Sequence, residues 1–553
     1  MPIPQRPGGG TFPPRADGLF VAVFVILANL AFAGRIGYYG DDWRFFETLQ
    51  SAPHHSFAAY YQALDGPPLW KRPLHTALMA FCYLVYGMQP LGNELLGLAL
   101  FAGACVALLA VLGLLGIPRL ERLGATLLYA VLPNNIPARI WFAALQAELS
   151  LLCFLLSTYA ALRAPRARGP AFALWLIAAV VFQGAAGLAY EVVIPLSPIV
   201  AAIVVVKGRR SASAVTIAGC LMIATVAMTV FKAASMQPVG PSGIVTHLVH
   251  YAKLAVKAAV LHFGADGVAF PYLFAVAAHD LGSFGNLARI AILALALVAG
   301  LAILGYLRRF PDEENPAEAY WPRSMTLVGL GALFAAYTVD FTHPLDVSVA
   351  GLVGRVTNAS SVGAVASIVG GLRWLWDARA WPNWRRIFIW GVTLYCAAGL
   401  VVDGDVLAHY ARASARQEAI LRALRQAVRE PPHGTIVLLG GFCPDDGPGP
   451  IFETWWDSSN ALALTYGDRT LRADVLNRDA KLGADGLTTH FDVGSQYYRY
   501  SRGTLLFDVS QARALPFEGP EARPAAARLL DFAARHCSRF SEDYGAPLFP
   551  PFR

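Results

Sequence analysis

Charge is what this sequence has least of. Only 15% of its 553 residues are Asp, Glu, Lys or Arg, while 56% are hydrophobic and the mean hydropathy is +0.47. A soluble chain of this length needs far more polar cover, so the composition excludes an ordinary soluble enzyme and predicts a polytopic membrane protein. No Gly-rich phosphate loop, CxxC pair or nucleophile elbow occurs, and no tandem repeat. The net charge of +7 is no nucleic-acid footprint, because the arginines fall in short clusters between apolar runs, the pattern of topology marking. Of the seven cysteines, Cys82, Cys105, Cys153, Cys220 and Cys396 lie in apolar stretches and read as packing residues. Cys443 and Cys537 lie in the polar C-terminal part and can pair if that part is outside the cytoplasm. The first apolar run, Gly18–Gly34, has no small-residue cleavage site after it and reads as a retained helix.

What the sequence does have is apolar runs of spanning length, near 18–34, 91–116, 139–162, 171–189, 192–206, 213–233, 285–307, 350–371 and 387–402. Two shorter runs, 123–133 and 324–339, can span if tilted or extended. Pro73–Gly87 is apolar but short. If it does not span, the clusters Arg6/Arg15, Arg119/Arg122, Arg163/Arg166/Arg168, Lys207/Arg209/Arg210, Arg308/Arg309/Arg323 and Arg373/Arg379/Arg385/Arg386 all fall on one side. The positive-inside rule therefore makes it an interfacial helix. The expectation is about eleven spans, N-terminus cytoplasmic and C-terminus outside, in a bacterial-type inner membrane. Residues 1–402 form the membrane module, with 35–90 as the first outer loop. Beyond Val402, Asp403–Glu430 reads as an amphipathic helix and Thr435–Gly440 as a buried strand, so 403–553 is expected to be a small α/β extracytoplasmic domain.

In this topology the outer ends carry the ionisable and amide side chains: Asp41, Asp42, Lys71, Arg72, Asn134, Arg139, Glu191, His262, Asp266, His343, Asp346 and Arg355, with Gln146 and Glu148 somewhat deeper on a helix starting at Arg139. Ionisable groups beside a bilayer are functional candidates by default. The adjacent pair in Gly40-Asp41-Asp42-Trp43, at the mouth of the first helix, is the most costly of them, unless both acids simply dip into water. His54-His55 and His247/His250 are candidate metal ligands that lack a clear third partner. Trp455-Trp456 and Tyr497, Tyr498 and Tyr500 are either a carbohydrate platform or core.

Four motifs in order resemble the GT-C superfamily of polyprenyl-phosphate-sugar-dependent glycosyltransferases, which includes protein O-mannosyltransferases, aminoarabinose transferases and arabinosyltransferases. They are GDDW at Gly40–Trp43, LWKRPL at Leu69–Leu74 with a Tyr-Gly turn at Tyr86-Gly87, the paired helices around a Pro-containing turn at Leu127–Leu156, and LAYEVVIPL at Leu188–Leu196. The likeness covers residues 1–200, with Gly354-Arg355 as a fainter echo, and the C-terminal part resembles nothing in the family. One departure concerns metal. Where several members have an Asp in the second outer loop, this chain has Gln146 and Glu148 further into the helix.

The resemblance implies inverting transfer of a sugar from a polyprenyl-phosphate donor to a glycan, lipid or protein acceptor at the outer face of the bilayer. It implies an Asp as general base: Asp41, with Asp42 orienting substrate or holding a divalent metal, or the reverse. Lys71, Arg72 and Arg355 are the expected donor-phosphate ligands. Trp43, Glu191, Glu148, Gln146, His262 and His343 are the expected substrate-side residues. The rival readings are a transporter or flippase for a lipid-linked glycan, which should hold its acids at the bilayer midplane on broken helices, and a non-catalytic relative.

Overall fold

The computed structural model describes residues 15–66, 69–234, 241–310, 321–342, 347–491 and 494–537. Eleven helices run back and forth between two ends of a bundle: α1 (Arg15–Asn29), α5 (Pro90–Leu114), α6 (Arg119–Ala130), α8 (Leu145–Arg163), α9 (Pro170–Ala189), α10 (Ser197–Lys207), α11 (Ala212–Ala233), α14 (Asn286–Leu307), α15 (Trp321–Ala336), α16 (Asn358–Ala378) and α17 (Trp384–Ala427). Their basic ends meet at one end. Asp17 of α1, fully buried, takes Arg119 of α6 at 2.7 Å and the hydroxyl of Tyr306 in α14 at 2.7 Å. Nearby, Trp384 donates to Glu121, Lys207 to the Leu115 carbonyl, and Arg385 to the carbonyls of Arg308 and Phe310.

Among the described residues, seven helices are long and apolar enough to cross a membrane by themselves, against an expectation of about eleven spans. Several of the expected runs are shorter as helices, for local reasons. α6 is cut short by the Pro133–Asn135 turn and the short α7 (Ile136–Ile140), which also breaks the expected continuous helix from Arg139. The first half of the 192–206 run is a 3₁₀ turn, Glu191–Leu196, containing Pro195. Conversely, α12 (Pro241–Ala259), its π-helical continuation Val260–Val268 and α13 (Phe270–Asp280) form a pair bent by 68°, an eighth candidate span or a re-entrant loop, where no span was expected.

The first outer segment folds as α2 (Asp41–Gln50), α3 (Phe57–Leu64) and α4 (Pro73–Tyr86), around a small core of Tyr38, Phe46, Tyr60, Leu64, Met79 and Phe142. The Gly34 amide donates to Glu94 at 2.9 Å, so this segment leaves and re-enters the bundle at the same end. That agrees with Pro73–Gly87 not being a span.

The expected boundary at 402/403 falls inside one unbroken helix. α17 runs 44 residues: from Val406 on it is rich in helix formers, and Gly404, buried within it where a Cβ would meet Ile292 of α14, does not break it. Beyond it lies a mixed sheet in the order β4-β1-β8-β9: β1 (Ile436–Gly440) pairs in parallel with β4 (Arg472–Val475) and β8 (Thr504–Asp508), and β9 (Arg513–Pro516) lies antiparallel to β8. Smaller ladders are β2 (Asp445–Asp446) with β3 (Gly449–Pro450), and β5 (Lys481–Leu482), β6 (Gly486–Phe491) and β7 (Gly494–Arg499). Helix α18 (Trp455–Tyr466), started by a Thr454/Asp457 capping box, packs beside β4, and α19 (Arg523–His536) covers a core of Leu438, Leu476, Leu506 and Phe517. Tyr498 donates to Asp474 and Tyr500 packs on Phe517, so these tyrosines serve the core. The five apolar-segment cysteines are free thiols, four of them buried, while Cys443 and Cys537 form a disulfide that closes a 94-residue loop. Chain entropy for so long a loop makes it worth about 4.7 kcal/mol. Replacing Cys443 and Cys537 by Ser is expected to lower the stability of this domain by roughly 2–5 kcal/mol, read as easier proteolysis after Ala427 under non-reducing conditions.

Candidate active site

The neighbouring acids of the GDDW turn do opposite things. Gly40 has φ +48°, a left-handed value that L side chains rarely adopt, with Leu352 and Trp141 in ordinary contact, so the turn into α2 suits glycine. It sends Asp42 inward. Fully buried, Asp42 accepts the Ala143 amide at 2.8 Å on one oxygen and the Tyr39 amide at 3.1 Å on the other. Burial pushes its pKa well above the usual carboxylate range, with the two amides acting the other way. Trp141 braces the same turn by donating to the Tyr39 carbonyl at 2.9 Å, and the Tyr39 hydroxyl reaches the Tyr410 carbonyl of α17 at 2.7 Å. Asp41, half-buried, makes no hydrogen bond or ion pair among the described residues. Both Asp42 oxygens accept backbone donors in a sealed position, so Asp42 would offer a metal only its remaining lone pairs, and Asp41 is the open carboxylate of the two.

The expected phosphate ligands also divide. Arg72 is committed. Its guanidinium forks onto Glu191, with Nε 3.1 Å from Oε2 and Nη2 on Oε1, and lies over the Tyr190 ring. Lys232, at the end of α11, joins Glu191 at 3.1 Å and donates to the Lys71 carbonyl at 2.6 Å. Burial alone would raise the Glu191 pKa, but Arg72 and Lys232 together hold it at about 2. Lys71 and Arg355, by contrast, are half-buried cations without a carboxylate in ion-pair range among the described residues. Lys71 lies over Trp70. Arg355 lies over Trp141, on the flank of the Gly40–Asp41 turn, and donates to the Leu352 carbonyl. Asp41 is among the charges that act on Arg72.

The remaining expected residues are mostly not at the rim. Trp43 is packed between Tyr38 and Phe452, each ring 6.3 Å away, which joins α2 to the C-terminal domain. Arg469 pairs with Glu47 across the same contact. Gln146 and Glu148 are buried, the first beside His75 and the second near Arg139 and Asn358. His262 is buried too, 3.2 Å from Asp266 and 3.0 Å from the Tyr337 hydroxyl. His343 and Asp346 lie outside the described residues. His55 contacts Tyr60, and neither His54-His55 nor His247/His250 gains a third metal-capable partner among the described residues.

Two groups escaped the sequence reading. His75 follows directly on the LWKRPL motif and is fully buried; burial first, then the Arg72 charge, push its ring down to about 3, so it is neutral. Neither of its nitrogens is hydrogen-bonded. The other is the buried ion pair of Arg139 with Asp403, at 2.8 Å, with Arg139 also over Phe101. Asp403 stands 19 residues along α17 from Trp384, ~28 Å by the helical rise. That is close to the site end of the bundle and not its middle.

No protein-family model matches the chain, and no curated protein does. Among solved structures it is similar to the oligosaccharyltransferase of Archaeoglobus fulgidus, in complex with Zn and sulfate, at 13% identity and a TM-score of 0.42; the match covers 82% of this chain and 61% of that one, less than two thirds of its length. It is also similar to ArnT from Cupriavidus metallidurans in the apo state, at 15% identity and a TM-score of 0.33, over 82% of this chain and 85% of that one. For ArnT bound to undecaprenyl phosphate the figures are 16%, 0.35, 82% and 84%. At TM-scores below 0.5 these likenesses carry no weight for what the chain does, which has to be read from its own residues.

The Glu191 cluster gives a pH prediction. With its pKa at about 2 against an ordinary 4.5, Glu191 contributes stability that is present above pH 4.5 and lost as the pH falls toward 2. The difference corresponds to about 3 kcal/mol. Unfolding followed between pH 4.5 and 2 is expected to show this acid limb in wild type and a flattened one in Glu191→Gln.

Proposed function

We propose that the chain is a GT-C-type glycosyltransferase that moves a sugar from a polyprenyl-phosphate donor to a hydroxyl of a glycan, lipid or protein acceptor, with inversion at the anomeric carbon. The observation that carries this reading is the unequal fate of the two adjacent carboxylates. Asp42 is sealed into the fold, and Asp41 is left open at the end of the bundle where Lys71 and Arg355 offer cations without carboxylate partners.

In the proposed step the acceptor oxygen attacks C1 while its proton passes to Asp41, and the bond from C1 to the phosphate oxygen breaks. The electron pair leaves on the polyprenyl phosphate, whose charge Lys71 and Arg355 stabilise, Arg355 by its planar fork and Lys71 as a point charge. Arg72, held by Glu191 and Lys232, is the rigid wall that positions Lys71 through its backbone. No step needs a metal at Asp41. The site end faces the extracytoplasmic side, with the N-terminus cytoplasmic and the C-terminal domain outside; the Cys443–Cys537 disulfide supports that placement, since such bonds persist in oxidising compartments. The buried Arg139–Asp403 pair near the site end supports the enzyme over a transporter with acids at the midplane.

The two carboxylates should separate on mutation. Asp41→Asn is expected to lower transfer of radiolabelled sugar from a panel of polyprenyl-phosphate donors by on the order of a hundredfold or more, with its melting temperature unchanged. Asp42→Asn turns an amide against a backbone N–H and is expected to cost roughly 1–3 kcal/mol of stability, with near-normal transfer per folded molecule. Full activity in Asp41→Asn would refute the assignment.

A further inference from the structure

Away from Asp41, one group of three metal-capable side chains comes together among the described residues: Asp280, Asp405 and His409, with their ligand atoms all within 4.8 Å of one another. Asp405 and His409 are one turn apart on α17 and share a face. Asp280 ends α13, the second arm of the bent pair, and is half-buried, whereas Asp405 is 0% and His409 6% exposed.

The histidine is oriented for coordination. Its Nδ1 lies 2.9 Å from Asp446 of β2, and its Nε2 lies 3.9 Å from Asp405. A carboxylate on Nδ1 keeps the proton there and turns the Nε2 lone pair outward, as carboxylate–histidine pairs do behind metal ions. Arg412 Nη2 also approaches Nδ1, at 3.2 Å, while donating to the same Asp446 oxygen, and Arg416 adds a second cation to that carboxylate. Asp446 is thus charge-balanced, and Asp405 and Asp280 face the imidazole edge.

We propose that Asp280, Asp405 and His409 bind one divalent cation of the Zn²⁺ or Mn²⁺ kind, matching a mixed imidazole and carboxylate donor set. In a tetrahedral site, ligand bonds of about 2.0–2.2 Å hold the ligands roughly 3.3–3.6 Å apart, so closing the cluster takes an inward side-chain movement of about 1 Å. The ion clamps the second arm of the bent pair to α17, at the level where Asp446 ties in the C-terminal domain. The site is structural and independent of the proposed transfer chemistry. The competing arrangement is an imidazolium at His409 lying among the acids, with no metal.

The test uses the full chain in detergent, stripped with chelator, dialysed against Zn²⁺ or Mn²⁺, and analysed by elemental mass spectrometry and thermal melting. Wild type and Asp41→Asn are expected to retain one equivalent and to melt higher with metal. Asp280→Asn, the change at the most exposed ligand and therefore the mildest for folding, is expected to bind at least about tenfold more weakly and to lose the metal-dependent rise, as is His409→Gln. A wild type that binds neither ion, with a melt indifferent to chelator, overturns the proposal in favour of the imidazolium. An ion retained by Asp280→Asn but lost in Asp41→Asn also overturns it.

Discussion

The buried carboxylate of Asp42 is the constraint on which the site end of this protein depends. Placing a carboxylate out of water costs several kcal/mol unless donors meet it. Here they are the amides of Tyr39 and Ala143, one from its own turn and one from the far side of the α7–α8 break. The carboxylate therefore stitches the first outer segment to the bundle. Trp141 and the Tyr39 hydroxyl extend the stitch to α17. With Asp42 fixed, the first turn of α2 holds Asp41 outward, beside the ring on which Arg355 rests.

Around that stitch the ionic groups fall into satisfied pairs and open ones. Arg139–Asp403 and Arg72–Glu191–Lys232 are ion-paired and form the walls. Asp41, Lys71 and Arg355 have no ion-pair partner among the described residues, and the proposed function assigns them to the charged substrate headgroup. α17 carries this order into the C-terminal domain, because one unbroken helix holds Asp403, Asp405 and His409 and then continues to the first strand. That domain returns to the site through Trp43–Phe452 and Arg469–Glu47.

Much of this was legible in the sequence because it rests on composition and local pattern. The apolar runs mark the helices, the arginine clusters mark one end, and Thr435–Gly440 marks the central strand. The adjacency of Asp41 and Asp42 marked the turn, and LAYEVVIPL marked Glu191 as a candidate, though on the substrate side and not as the partner of Arg72 and Lys232. What was not legible depends on tertiary partners. Nothing local tells that Asp42 meets the Ala143 amide about a hundred residues away, nor that His262, Gln146 and Glu148 point into the protein and not to its rim. The bent pair from Val245 to Phe284 escaped because Lys253, Lys257 and Asp266 interrupt its hydropathy. The expected boundary near residue 402 falls within α17, where Asp403 and Asp405 are buried.

Carboxyl footprinting tests the central division most directly. The folded chain in detergent is treated with a carbodiimide and an amine, and labelling at Asp41 and Asp42 is resolved by fragment mass spectrometry, with and without a polyprenyl phosphate. Expected is modification of Asp41 alone, reduced when the lipid phosphate is present, with Asp42 reacting only after unfolding. Equal labelling of both acids in the folded protein, or labelling of Asp41 that the lipid phosphate leaves unchanged, would contradict an open catalytic carboxylate beside a sealed structural one.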